Sequence, residues 1–213
     1  MKWIKHTWVR RGVSIACSLP LLLLILRFFI GRLGADPVRT LLLSTGDWTM
    51  RFLLLTLMIT PIMELSGWKS IFFLRRLFGL FALLYAALHF LVYLGLDYLF
   101  NVEMILRESQ RTPFIIVGFV SFLLLIPLGI TSLKSVMQHM ERGTWRIVHS
   151  LVYIISIGGI VHYLLKLKVI SPEFVVYTVL LALLLLYRPV SKLLLKPFIT
   201  KSNATGAETK THT

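Results

Sequence analysis

Apolar residues run along this chain in six blocks, each closed at its ends by basic or polar residues. The blocks cover roughly Gly12 to Ile30, Asp47 to Met63, Leu74 to Leu96, Pro113 to Leu133, Ile147 to Leu165 and Pro172 to Tyr187. A hydrocarbon core about 30 Å thick takes about 20 helical residues to cross. Backbone polar groups in lipid have no partners but one another, so such runs predict helices. Pro113 and Pro172 fall at helix starts, where the missing N–H costs little. Pro61 and Pro127 lie near helix ends, where they predict kinks. The first block follows basic residues, as a signal peptide does. It is long for one, and no small-residue cleavage motif follows, so a retained helix is expected. The pattern predicts an all-α integral membrane protein, a bundle of six transmembrane helices.

Composition agrees. The chain is 57% hydrophobic, with a mean hydropathy of +0.82, which excludes an ordinary soluble domain. A net charge of +14 would suggest nucleic acid in a soluble protein. Here the cations cluster between the apolar blocks, so the partner is the lipid bilayer and not nucleic acid. Threading the six blocks puts fifteen cations on one side, including Lys69, Lys134 and Arg188, and six on the other. Asp36, Asp97, Glu103, Glu108 and Glu173 fall on the poorer side. The positive-inside rule then places both termini in the cytoplasm. Residues 1–11 are expected to form a cytoplasmic segment, 12–190 the membrane domain, and 191–213 a polar, largely disordered cytoplasmic tail. Cys17 is alone, so no intrachain disulfide or zinc-type spacing is available.

Three histidines interrupt the apolar blocks: His89 in the third, and His149 and His162 in the fifth. An imidazole in lipid needs a partner and marks a functional site. The third and fifth helices both enter from the basic side. At 1.5 Å per residue, His89 lies about 20 Å in and His162 about 24 Å in, so the two share one depth. Haem iron is the natural partner for paired histidines on facing helices. His149 lies less than a turn from the basic face and belongs to a second site. Thirteen residues also leave His149 and His162 roughly 140° apart around an ideal helix. A kink at Gly158–Gly159 is the expected way to reconcile them. The bland alternative is that each histidine only bonds to Ser, Thr or backbone groups.

Around His149 the chain places Arg75, Arg76, Trp145 and Arg146. A basic, aromatic-lined pocket suits a flavin phosphate, a haem propionate or a quinone headgroup. The same arginines also serve as ordinary topology determinants. Arg27 and Arg51 lie inside spans and either snorkel or pair a propionate. Tyr85, Tyr93, Tyr153 and Tyr163 flank the histidines and read as packing or belt residues. His6, His139 and His212 lie in polar segments and are expected to be solvated.

The segments LGADPV (33–38), TGDWTMRFLLLTLMITP (45–61), RRLFGL (75–80), GTWRIVHSLVYI (143–154) and VHYLLKLKVISP (161–172), with His89, together resemble the MsrQ (formerly YedZ) family. These are haem-binding membrane subunits of bacterial methionine-sulfoxide reductase systems, with a ferric-reductase-like transmembrane domain. The resemblance covers about residues 10 to 190. It implies a bacterial inner-membrane, multi-pass electron-transfer subunit with no methionine-sulfoxide chemistry of its own. It implies haem b, with FMN as a second cofactor, and His89, His149 and His162 as haem ligands. The implied donor is the quinone pool or a cytoplasmic flavin reductase. The implied recipient is a periplasmic molybdenum-containing MsrP-like catalytic subunit. Arg76 stands where the wider ferric-reductase pattern has a histidine. Competing expectations are a direct ferric or oxygen-species reductase, a histidine-relay proton or cation transporter, and a membrane assembly factor without a cofactor. The segment Asp97 to Thr112 is an expected docking surface for the recipient, or else a connecting loop with an amphipathic turn.

Overall fold

The computed structural model describes the backbone of residues 2–208 and the side chains of 7–191 and 193. His212 and the His6 side chain lie outside the described residues; His139 is exposed. The described residues form eight α-helices: α1 Lys2–Phe29, α2 Pro37–Ser66, α3 Phe72–Val92, α4 Val102–Arg111, α5 Pro113–Ile130, α6 Lys134–His139, α7 Arg142–Lys166 and α8 Pro172–Glu208. A 3₁₀ turn, Lys69–Ile71, leads into α3, and a π-turn, Tyr93–Asp97, follows it. Six of these segments are long and apolar enough to cross a membrane: Thr7–Phe29, Pro37–Ser66, Lys69–Asp97, Pro113–Ile130, Arg142–Lys166 and Pro172–Ser191.

Two elements run further than the hydropathy pattern predicts. α2 begins at Pro37 rather than near Asp47, because the Asp36 side chain accepts the Arg39 N–H at 2.9 Å and caps it. The polar stretch from Thr40 to Thr49 remains helical because its threonine hydroxyls donate back to carbonyls one turn earlier. Thr45 is 2% exposed, so it faces protein and not lipid. Gly67, with φ of 71°, ends the helix, and its N–H donates to the Met63 carbonyl. At the other end of the chain, α8 continues to Glu208. Helix therefore runs through most of the segment expected to be a disordered tail. Lys, Leu, Ala and Glu residues there are good helix formers.

The antiparallel pair α2–α3 and the antiparallel pair α5–α7 pack side by side, with α8 against α2 and α7. Phe52, Leu53, Leu54, Tyr85, Leu125, Val152, Ile155 and Leu181 form the buried centre. α1 sits at the edge, with Leu22, Leu26 and Phe29 exposed as a lipid-facing surface requires. One end of the bundle carries the α2–α3 turn and α6. The other carries the α1–α2 loop, α4 and the α7–α8 connection.

A paired-histidine cavity and a basic pocket

His89 and His162 face each other across the bundle, their ring centroids 6.1 Å apart and their planes at 89°. Each ring is tied from behind. His89 Nδ1–H donates to the Leu42 carbonyl at 3.0 Å, and His162 Nδ1–H donates to the Phe114 carbonyl at 2.7 Å. Carbonyls only accept, so both rings carry their proton on Nδ1 and keep a lone pair on Nε2. A backbone carbonyl behind a ligand imidazole is how proteins fix its tautomer and orientation. An imidazole–metal bond is roughly 2.0–2.1 Å long. Two such bonds in line account for about 4 Å of the 6.1 Å, and the ring half-widths for the rest. The separation of the rings is of the size that a metal ion held by both imidazoles would need.

What makes room is a pair of glycines. A Cβ on Gly46 would lie 3.3 Å from the His89 ring, and one on Gly118 would lie 2.5 Å from His162 Nδ1. In each case the accepting carbonyl belongs to the residue four before the glycine, Leu42 and Phe114. The bare glycine leaves that carbonyl open to a ring from the neighbouring helix. Neither glycine nor the two carbonyl residues stand out in the sequence. An interior glycine in a membrane segment reads only as a close-packing position.

A cavity of about 580 Å3 adjoins the pair, walled mostly by apolar side chains of α2, α3, α4, α5 and α7. That size is typical of a ligand or cofactor site. Its polar end, away from the α2–α3 turn, is formed by Asp47, Tyr93, Asp97, Tyr98, Glu108 and Lys166. Tyr98 lies just beyond the span. Burial, then the Glu108 and Asp97 carboxylates, raise its phenol above its ordinary value, so it stays neutral at ordinary pH.

His149 differs. Its Nε2 lies 3.1 Å from Thr131 Oγ1, whose own hydroxyl proton goes to the Pro127 carbonyl at 2.7 Å. Unlike the Nε2 atoms of the facing pair, this one is therefore engaged by a hydroxyl and not left open. Trp145 stacks on the ring at 4.1 Å. Among the described residues no other histidine lines its cavity, a separate space of about 300 Å3 that includes Arg10, Arg75, Arg76, Trp145 and His149. Arg76 Nε and Trp145 Nε1 are buried there without hydrogen-bond partners. Arg146, expected to join them, is exposed and does not line the cavity. Leu53 and Leu125, each 3% exposed, line both cavities and separate them.

The anticipated break at Gly158–Gly159 is not used: α7 is continuous from Arg142 to Lys166. Those glycines instead let Ser121 of α5 and Met50 of α2 pack closely. Both histidines of α7 reach α5, at opposite ends, through Thr131 and Phe114. Arg51 neither snorkels nor reaches the cavity. Its Nε donates to the Tyr177 hydroxyl at 2.8 Å, and its guanidinium lies over Trp48. Arg27 is exposed.

Six long helices around a facing histidine pair define a class, and residues 45–160 match the family described as ferric reductase like transmembrane component. Full-length relatives narrow it. The protein-methionine-sulfoxide reductase heme-binding subunit MsrQ of Herminiimonas arsenicoxydans is 43% identical over 157 residues, covering 74% of this chain and 72% of the relative. The MsrQ of Azospira oryzae is 40% identical over 80% of this chain and 74% of its own. That of Polaromonas naphthalenivorans is 36% identical over 88% and 86%. The chain belongs to the MsrQ family, and it is a multi-pass membrane protein.

Proposed function

We propose that this chain is the electron-carrying subunit of a methionine-sulfoxide reductase system in a bacterial inner membrane. His89 and His162 would hold haem b, which would supply the electron carrier towards a periplasmic catalytic subunit of the MsrP type. The single observation that carries this reading is the facing pair with both Nδ1 protons committed to carbonyls and both Nε2 lone pairs free. Among the described residues no group of three His, Cys, Asp or Glu side chains converges on a metal position. Two facing imidazoles beside an apolar cavity would suit an ion whose other ligands come from a flat macrocycle. Bound there, haem iron supplies one-electron transfer between ferric and ferrous states. The protein's part is to fix the ring tautomers, exclude water with apolar walls, and present the pair near the face carrying α4. α4 is amphipathic, with exposed Leu99, Phe100 and Met104 beside it, and is the proposed docking surface for the recipient.

The basic pocket at His149 is the proposed entry. Arg75, Arg76 and the Trp145 N–H offer donors for a quinone headgroup or a flavin phosphate, FMN included. With no second histidine beside His149 among the described residues, the pocket reads as a place for a donor and not as a second copy of the paired site.

The test is spectroscopic. Purified protein is expected to show a haem b spectrum that changes on dithionite reduction. His89→Ala and His162→Ala should abolish the same spectral species, while His149→Ala leaves it in place. A colourless wild-type protein from cells supplied with ample haem would sink the redox reading.

A further inference from the structure

At the polar end of the paired-histidine cavity two donors stand without acceptors. Tyr93 lies four residues after His89, and Lys166 four residues after His162. Both helices run in the same direction, so each axial ligand is followed, one turn further along, by a donor on a neighbouring face position. Both side chains line the cavity. The Tyr93 hydroxyl is buried with no hydrogen-bond partner within 3.5 Å among the described residues; its neighbour is the Tyr98 phenol, whose ring packs at 4.8 Å. Lys166 is half-buried and makes no hydrogen bond or ion pair among the described residues. It is the only lysine or arginine among the described residues lining this cavity. Asp47, Asp97 and Glu108 line the same end, and none of them forms an ion pair with it.

A buried hydroxyl and a half-buried ammonium left unpaired are costly unless something accepts from them. The local carboxylates repel an anion everywhere at this end except near the ammonium. We propose that Tyr93 and Lys166 form a clamp for the carboxylate side chains of the tetrapyrrole held by His89 and His162, and so set which way its edge faces. The clamp rests on the haem reading of this cavity. A helix-terminal lysine has an ordinary role beside the C-terminal carbonyls of α7, but that role does not bring the side chain to the wall of the cavity. It also does not account for the buried Tyr93 hydroxyl in the π-turn after α3.

The experiment compares two probes on the full-length chain: ferric protoporphyrin IX and its dimethyl ester, which lacks free carboxylates. Release of each to an excess of a haem-scavenging apoprotein is timed. Wild type should release the ester roughly tenfold to a hundredfold faster than the free acid, as expected when hydrogen bonds to a charged group are lost. In the double variant Tyr93→Phe/Lys166→Met the two probes should leave at nearly equal rates. Lys166→Arg should keep the discrimination. Unchanged helical circular dichroism and retained histidine-ligated spectra show that the variants fold and hold iron. If the double variant discriminates as strongly as wild type, or wild type does not discriminate at all, the clamp is wrong while the haem site stands. If wild type binds neither probe, the haem reading itself fails, and the clamp fails with it.

Discussion

Gly118 carries more of the site than its size suggests. A Cβ there would lie 2.5 Å from His162 Nδ1 and 2.7 Å from Cε1, too close for any real contact. The ring would have to leave the Phe114 carbonyl, losing both its tautomer lock and its aim. Gly118→Ala is therefore expected to lose most of its bound haem, measured as pyridine haemochrome per mole of protein. Gly46→Ala should lose less, since its Cβ would meet His89 at 3.3 Å and small shifts relieve that. Gly12→Ala, with nothing within 4 Å, should behave as wild type. Full haem in Gly118→Ala would mean that His162 is not held as described. The residue scale also shows where sequence reasoning stops. The histidines, their shared depth and the isolation of His149 are legible, because rise per residue and span direction set depth. The glycines and their carbonyls are not, since an i to i+4 relation on one helix gains meaning only when a ring from another helix meets it. The contact between His149 and Thr131 is equally hidden, since it joins two helices.

At the scale of elements, α1 depends on one side chain. Tyr85 is fully buried; its hydroxyl donates to the Cys17 carbonyl and accepts from the Leu21 N–H, both at 3.0 Å. In an undisturbed α-helix those two backbone groups would pair with each other. Pro20 sits between them, and the phenol of α3 bridges the disturbed turn. Tyr85→Phe leaves a buried donor and acceptor short of a partner, at a cost of about 1–3 kcal/mol. The expected result is earlier unfolding in SDS and faster maleimide labelling of Cys17, a buried thiol in wild type. Unchanged Cys17 reactivity would show that α1 is held by lipid-facing packing and not by this bridge. Hydropathy finds six helices because each has an apolar core, yet it misplaces the start of α2. Thr45 and Asp47 look like loop residues in a linear reading, whereas in the bundle they face other helices and a cavity.

For the whole molecule, direction is the remaining question. The two cavities are stacked end to end, with Leu53 and Leu125 between them, so the proposed electron path would run from one face to the other. Arg75 and Arg76 belong to the entry cavity, and the same face holds most of the basic loops; the polar, acid-bearing end of the other cavity lies beneath α4. The positive-inside bias predicts a cytoplasmic arginine face, the orientation that the proposed cytoplasmic or quinone donor and envelope recipient require. Because Cys17 is the one native cysteine, a Cys17→Ser background allows single-site labelling. Lys69 and Gln110 are exposed at opposite ends of the bundle. A membrane-impermeant maleimide added to intact spheroplasts should label Gln110→Cys and spare Lys69→Cys until the membrane is permeabilised. The reverse pattern would put the paired-histidine cavity nearer the cytoplasm. An outward path from His149 to the His89–His162 pair would then have to be abandoned, even if every histidine kept its haem.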